Sequence, residues 1–241
     1  VMAALDYAAC GERMVRSRLL FIAHREEILD QSQATFRYAL RDPTFGEKWV
    51  RGARPLRFEH VFASIQSLNA NDLTALDPDH FDVVIVDEFH HAAAPSYTRI
   101  LDHLQPKELL GLTATPERSD GLPVLHWFDD RIAAELRLWD AIEQQHLAPF
   151  VYYGIHDGLD LREIPWRRGT GYDVAALSDA YTSSDAWARL VVKQVTEYAD
   201  VATMRALGFC VSVEHAHFMA RHFTRYGIPS VAVSGETPTA D

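Results

Sequence analysis

Asp87 and Glu88 stand side by side at the end of an unbroken apolar run, Val83-Val84-Ile85-Val86, within the segment FDVVIVDEFHH (81–91). A continuous run of this kind suits a strand buried on both faces, as in a parallel sheet covered by helices. In open α/β sheets ligands bind beyond the carboxyl ends of the strands, so the two acids are placed to meet a metal-bound phosphate. The plainer alternative is an apolar strand followed by a solvated acidic turn.

Other runs repeat the pattern. Leu19–Ala23 (LLFIA) leads into His24-Arg25-Glu26-Glu27, and Val61–Ala63 leads into Ser64-Ile65-Gln66-Ser67. Leu109–Leu112 (LLGL) leads into Thr113-Ala114-Thr115-Pro116. Tyr97, Ile100, Leu101 and Leu104 fall between the acidic pair and the Leu109–Leu112 run at helical spacing, which predicts the crossover helix that a parallel pair requires. The expected architecture is a doubly wound sheet with one edge lined by hydroxyls, carboxylates and a His-Arg pair.

The elements that must hold this edge are within reach of the composition. A chain of 241 residues with 48% hydrophobic content can bury one large core or two smaller ones. No apolar run approaches the roughly 18 residues of a membrane span, and no charged-then-apolar leader is present, so a cytoplasmic location without membrane contact is the expectation. Cys10 and Cys210 match no zinc or redox spacing and are expected as reduced, buried thiols. The net charge of −11 argues against a polyanionic partner until its distribution is considered. Between Arg13 and Arg57 ten basic residues face five acids, about +5, which leaves about −16 for the rest. A basic region on an acidic body can bind a polyanion; a solvated helix-and-loop face explains the same charges.

The order of these segments resembles the superfamily 2 DNA/RNA helicases of DEAD/DEAH-like type, particularly the branch with excision-repair helicases and restriction-enzyme motor subunits. LLFIAHREEILDQ is similar to motif Ia, HVFASIQSL to the next DNA-facing motif, VIVDEFHH to motif II, GLTATPERSDG to motif III and ALGFCVSVEHAHFMARHF to motif IV. The resemblance implies an α/β, RecA-like doubly wound parallel sheet of the P-loop NTPase type. It divides the chain into an ATP-binding lobe over 1–146, lacking its first strand and phosphate loop, and the incomplete start of a second lobe over 149–241. Because the chain begins VMAALDYAA without Met and holds no G-x-x-x-x-G-K-[ST] segment, an excerpt of a longer protein is expected, inactive by itself.

The same resemblance implies roles and cofactors. ATP and Mg²⁺ would be used by the complete protein, with Asp87 holding the ion and Glu88 orienting and deprotonating the attacking water. His90 would complete the nucleotide-binding box and link it to motif III, where Thr113 and Thr115 would couple turnover to lobe movement. His24, Arg25, Ser64 and Gln66 would grip a nucleic-acid backbone, above all that of double-stranded DNA, with nuclease or repair subunits as further partners. The implied function is an ATP-dependent DNA helicase or translocase. Two competitors are a nucleic-acid-binding scaffold without ATP turnover and a small-molecule α/β enzyme that uses the acids as a plain metal site.

Beyond these motifs, Phe150–Ile155, Leu207–Val211 and Ser230–Val233 read as strands, with helices around Val174–Tyr181 and Asp185–Ala199. Trp166–Tyr172 reads as a surface loop whose aromatic and cationic residues could stack on bases. Ala216, Met219, Ala220 and Phe223 form an apolar stripe that leaves His215, His217 and His222 on its polar side.

Overall fold

The computed structural model describes residues 2–13, 17–71, 75–115, 124–167 and 171–237, except for the side chains of residues 2, 6 and 10–13. The chain divides into two compact units, Val1–Asp140 and Ala141–Asp241. None of the described helices is long and apolar enough to cross a membrane.

The first unit contains α1 (Met2–Arg13), β1 (Leu19–Ala23), α2 (Glu26–Leu40), β2 (Glu47–Trp49), β3 (His60–Ser64), α3 (Ile65–Ala70), β4 (Val83–Asp87), α4 (Pro95–His103) and β5 (Glu108–Leu112). Its five strands form one sheet in the order β2-β3-β1-β4-β5, with every neighbouring pair parallel. Ala23 pairs with Ser64, Ile22 with Val86, and Asp87 with Leu112, so the strands end nearly level. That common edge is where loops of differing chemistry meet.

Alternation along each strand explains why the runs are apolar without interruption. Leu20, Ile22, Val61, Ala63, Val84 and Val86 pack to one side with Leu68, Tyr97, Ile100 and Leu101 of α3 and α4. Leu19, Phe21, Ala23, Phe62, Val83 and Ile85 pack to the other with Ala4, Tyr7, Leu29 and Phe36 of α1 and α2. A strand with helices on both faces has no position that tolerates a polar side chain, and the period-2 polar signal disappears. The expected doubly wound α/β fold and the α4 crossover are both present. The edge strand β2 was not legible, because it is three residues long and two of them are Glu47 and Lys48.

Asp82 fixes the opposite edge of the sheet. Its nearly buried carboxylate accepts the Arg18 N–H at 2.9 Å and the Lys107 Nζ at 2.6 Å, joining the starts of β1, β4 and β5. Burial opposes this charge, but the bonds from Lys107 and the Arg18 backbone outweigh it and hold the carboxyl below its ordinary value.

The second unit departs from the sequence expectation. α5 (Leu138–Glu143) crosses from the first unit into it; within it lie β6 (Trp166–Arg167), β7 (Gly171–Tyr172), α6 (Val174–Thr182), α7 (Asp185–Tyr198) and α8 (Val213–Arg225). The two predicted helices are there. Phe150–Ile155, Leu207–Val211 and Ser230–Val233 form no strands: among the described residues the unit's only ladder is the short antiparallel β6–β7 pair. Val151, Tyr152, Leu207, Phe209 and Val231 are instead exposed. Apolar β-branched runs become strands only where a neighbour accepts their backbone hydrogen bonds. Trp166–Tyr172 is a two-stranded ribbon at its ends rather than a loop throughout; its centre lies outside the described residues.

The stripe on α8 is also shifted by one position. His215, Phe218, Met219 and His222 are the buried set, whereas His217 is exposed. The His215 ring stacks on Tyr181 at 5.1 Å and lies 5.4 Å from Trp187, and His222 Nε2 lies 3.2 Å from Asp185 Oδ1. An imidazole with aromatic neighbours and a polar tip packs as a core residue, which a division into apolar and polar types does not capture. Cys210 is a free thiol, half-buried, and burial raises its pKa.

Asp82→Ala should lower unfolding stability by about 1–3 kcal/mol at pH 7, since it leaves the Arg18 N–H and Lys107 without their acceptor. The folded-state pKa of Asp82 is depressed, so its contribution is complete above the unfolded carboxyl value of about 3.9 and disappears as pH falls through the folded value. Urea unfolding at pH 7 and in acid checks this: the gap between wild type and variant should close at low pH, and a constant gap would show that the loss is not electrostatic.

Candidate functional site

β4 ends at Asp87, and Glu88 then adopts a left-handed backbone conformation, φ 51° and ψ 50°, before a single 3-10 turn over Phe89–His91. A non-glycine residue held there stores local strain, and such residues concentrate at functional sites. The reversal turns the His90 ring back across the sheet edge. His90 Nδ1 lies 3.2 Å from Glu88 Oε2 and 3.0 Å from Thr113 Oγ1, which follows β5. Thr113 Oγ1 also accepts the backbone N–H of Thr115 at 3.1 Å. Acidic turn, histidine and hydroxyl segment are thus one connected set across two adjacent strands.

Asp87 is half-buried, and burial pushes its carboxyl above the ordinary value. The backbone hydrogen bond from Glu88 and the nearby His24 work against this shift, while the Glu88 charge adds to it. Two neighbouring carboxylates in a partly dehydrated turn are relieved by a cation. Among the described residues no group of three or more His, Cys, Asp or Glu side chains could hold a metal. Mg²⁺ is commonly held through one or two carboxylates, keeping several waters and sharing substrate phosphates, and this donor set fits that mode.

The other half of the edge lies on β1 and β3. Arg25 is exposed at the N-cap of α2. The exposed Gln66 donates its Nε2–H to the His24 carbonyl at 3.1 Å, tying the two loops together. Ser64 is buried and occupied: its hydroxyl caps α3 by accepting the Ser67 N–H at 3.1 Å and donates to Ser67 Oγ at 2.9 Å. The structure therefore brings Asp87, Glu88, His90, Thr113 and Thr115 together on β4 and β5, and His24, Arg25, Ser64 and Gln66 together on β1 and β3. Pro116 to Gly121, the rest of the third motif, lie outside the described residues.

Two residues that support the acidic turn were missed as such. Tyr97 was legible only as part of an apolar helix face. It is buried, its hydroxyl has no hydrogen-bond partner among the described residues, and its pKa is pushed up to about 12 by burial with the charges of Asp87 and Glu88 adding. Its ring lies 6.4 Å from His91, whose ring lies 6.1 Å from His24. Gly111 in β5 makes room for aromatic packing behind the turn: a Cβ there would come within 2.7 Å of both the Phe89 and the Phe128 rings, which lie 4.7 Å apart. A glycine inside an otherwise apolar strand was the available signal.

Residues 1–118, which carry the whole five-stranded sheet, match the family described as "Type III restriction enzyme, res subunit". This segment, just under half of the chain, resembles the superfamily 2 helicases. A protein assigned as the mitochondrial ATP-dependent helicase irc3 of Schizosaccharomyces pombe is 28% identical over 90% of this chain and 36% of its own length. The type I restriction enzyme EcoAI endonuclease subunit of Escherichia coli is 26% identical over 86% of this chain and 28% of its own length. The chain thus spans less than half the length of these curated relatives. In fold it is similar to the fragment structure of a protein assigned as an HsdR subunit of a type I restriction enzyme from Vibrio vulnificus, with a TM-score of 0.51 and 23% identity over 88% of this chain and 34% of that one. The parallel sheet accordingly has the RecA-like α/β fold.

Gly111→Ala should destabilise the fold by about 1–3 kcal/mol, because the new methyl group must displace the Phe89 ring that anchors the turn. Thermal unfolding of the 241-residue chain, read beside the His90 imidazole NMR signals, checks both parts of the claim. Unchanged stability together with unchanged His90 signals would show that the rings do not hold the turn.

Proposed function

We propose that this chain is the core of an ATP-dependent helicase or translocase, with the nucleotide handled at the β4–β5 half of the sheet edge and nucleic acid at the β1–β3 half. The observation that carries the reading is the Glu88–His90–Thr113 set, which reaches the adjacent strand from a strained acidic turn. In this reading Asp87 holds Mg²⁺, whose charge would offset the negative charge on the phosphate oxygens. Glu88 orients the attacking water and accepts its proton. His90 keeps the Glu88 carboxylate aimed and passes its position to Thr113, so that changes at the phosphates alter the start of the segment after β5. Phosphoryl transfer depends on positioning and charge neutralisation, and these side chains supply positioning.

On the nucleic-acid side Arg25 offers a two-pronged donor to phosphate, and Gln66 positions the β1 loop through the His24 carbonyl. Ser64 acts through its cap of α3, with its hydroxyl committed inside the fold. Contacts of this kind hold a backbone without reading its sequence, which suits a motor on duplex DNA that works with nuclease or repair subunits. Val1–Asp140 corresponds to the first helicase lobe in this account and Ala141–Asp241 to residues of a second.

The competing reading is a nucleic-acid-binding scaffold without ATP turnover. Glu88→Gln in the full-length protein separates the two. The motor reading expects ATP binding to persist while DNA-stimulated hydrolysis falls by at least about 10²-fold, in the range of general-base loss. Hydrolysis equal to wild type would remove Glu88 from its role, and a full-length wild type without hydrolysis would favour the scaffold.

A further inference from the structure

β2 delivers a basic hairpin to the same edge of the sheet. Trp49 pairs with Ala63, one residue short of Ser64, so the chain leaves β2 level with the end of β3. Val50 and Ala53 then exchange backbone hydrogen bonds at 3.1 and 3.0 Å across a turn in which Gly52 has φ +85°. The turn projects Arg51, and Arg54 and Arg57 follow on the return segment; all three are exposed. Adjacent strands lie about 4.8 Å apart, so this hairpin stands about 10 Å from the Arg25 end of β1, with the Gln66 loop between them.

The hairpin is a held structure. Glu47 of β2 accepts the backbone N–H groups of Leu56, Arg57 and Phe58 at 2.9, 2.9 and 3.2 Å, which pins the return segment against the strand. The Arg54 guanidinium lies over both the Trp49 and the Phe58 rings, 6.0 and 5.8 Å from their centroids, and those two rings meet edge to face at 5.2 Å. A guanidinium resting on aromatic faces keeps its plane fixed and its N–H edge directed outward. Glu47 is engaged by backbone donors and its charge acts on Arg57, which leaves Arg51 and Arg54 as the cations that the hairpin turns outward.

We propose that the Arg51–Arg57 hairpin, through Arg51 and Arg54, is a further phosphate-binding element that extends the nucleic-acid path from Arg25 and Gln66 out to the edge strand. This inference rests on the nucleic-acid reading above. Its ligand is the phosphodiester backbone of a polynucleotide, bound without sequence preference, because guanidinium edges on a surface turn reach phosphate oxygens and carry no base-edge pattern.

The test is fluorescence anisotropy of the 241-residue chain with labelled DNA oligonucleotides of several sequences, over a range of salt concentrations. Arg51→Ala with Arg54→Ala should weaken binding equally for all sequences and flatten the slope of log affinity against log salt by about 1.5 to 2, the value for two lost phosphate contacts. Arg51→Lys with Arg54→Lys should restore the slope. Wild-type slope in the alanine pair, while Arg25→Ala still reduces it, would overturn the hairpin and leave the nucleic-acid reading intact. A lysine pair as weak as the alanine pair would also overturn it, since the loss would then stem from loop packing. No salt-dependent binding by wild type would overturn the reading on which the hairpin depends.

Discussion

The constraint on which the rest of the first unit depends is that its sheet is parallel and covered on both faces. Parallel strands need crossover connections, which place α2 on one side and α3 and α4 on the other, and α1 packs on the side of α2. Once both faces are dry, strand register is fixed by packing, since a one-residue slip would exchange two filled cores. Five strand ends then arrive at one level, and the loops beyond them are free to carry chemistry. Asp82 performs the converse task at the far edge, holding three strand starts through one carboxylate.

The stability of this frame is set against local cost at the functional edge. Glu88 holds an unfavourable backbone conformation, Asp87 carries a charge that burial disfavours, and Tyr97 buries a hydroxyl beside them. A glycine in β5 lets two phenylalanine rings close behind the turn and keep it in that state. Charge is also partitioned along the edge. The paired acids follow β4, whereas Arg25, Arg51 and Arg54 follow β1 and β2, so a chain of net charge −11 presents cations on one side of its acidic turn.

The parts of this arrangement that were legible in the sequence are those governed by burial on both faces. The β1, β3 and β4 runs, the α4 crossover and the polar residues after each strand could be read because every inward position is apolar, and the partly buried edge strand β5 because its Leu109–Leu112 run is apolar as well. Glu47-Lys48-Trp49 could not be read as a strand, since an edge strand needs only one buried position and Trp49 supplies it. The ion-like contact of His90 with Glu88 and its reach to Thr113 depend on the Glu88 reversal, which no residue type announces. In the second unit composition misled twice. Phe150–Ile155 and Leu207–Val211 have strand-like residues but form no strand, and His215 and His222 fill core positions through their rings.

The central claim is that one sheet edge combines a cation-binding acidic turn with the loops that carry Arg25 and Gln66. Paramagnetic broadening of backbone NMR signals by Mn²⁺, titrated into the 241-residue chain, tests it most directly. The account predicts that signals of Asp87, Glu88, His90 and Thr113 broaden first and those of His24 and Arg25 next, while those of Arg18 and Lys107 at the far edge stay sharp. Broadening centred on Asp77, Asp79 and Asp82, with the Glu88 turn unaffected, would contradict it.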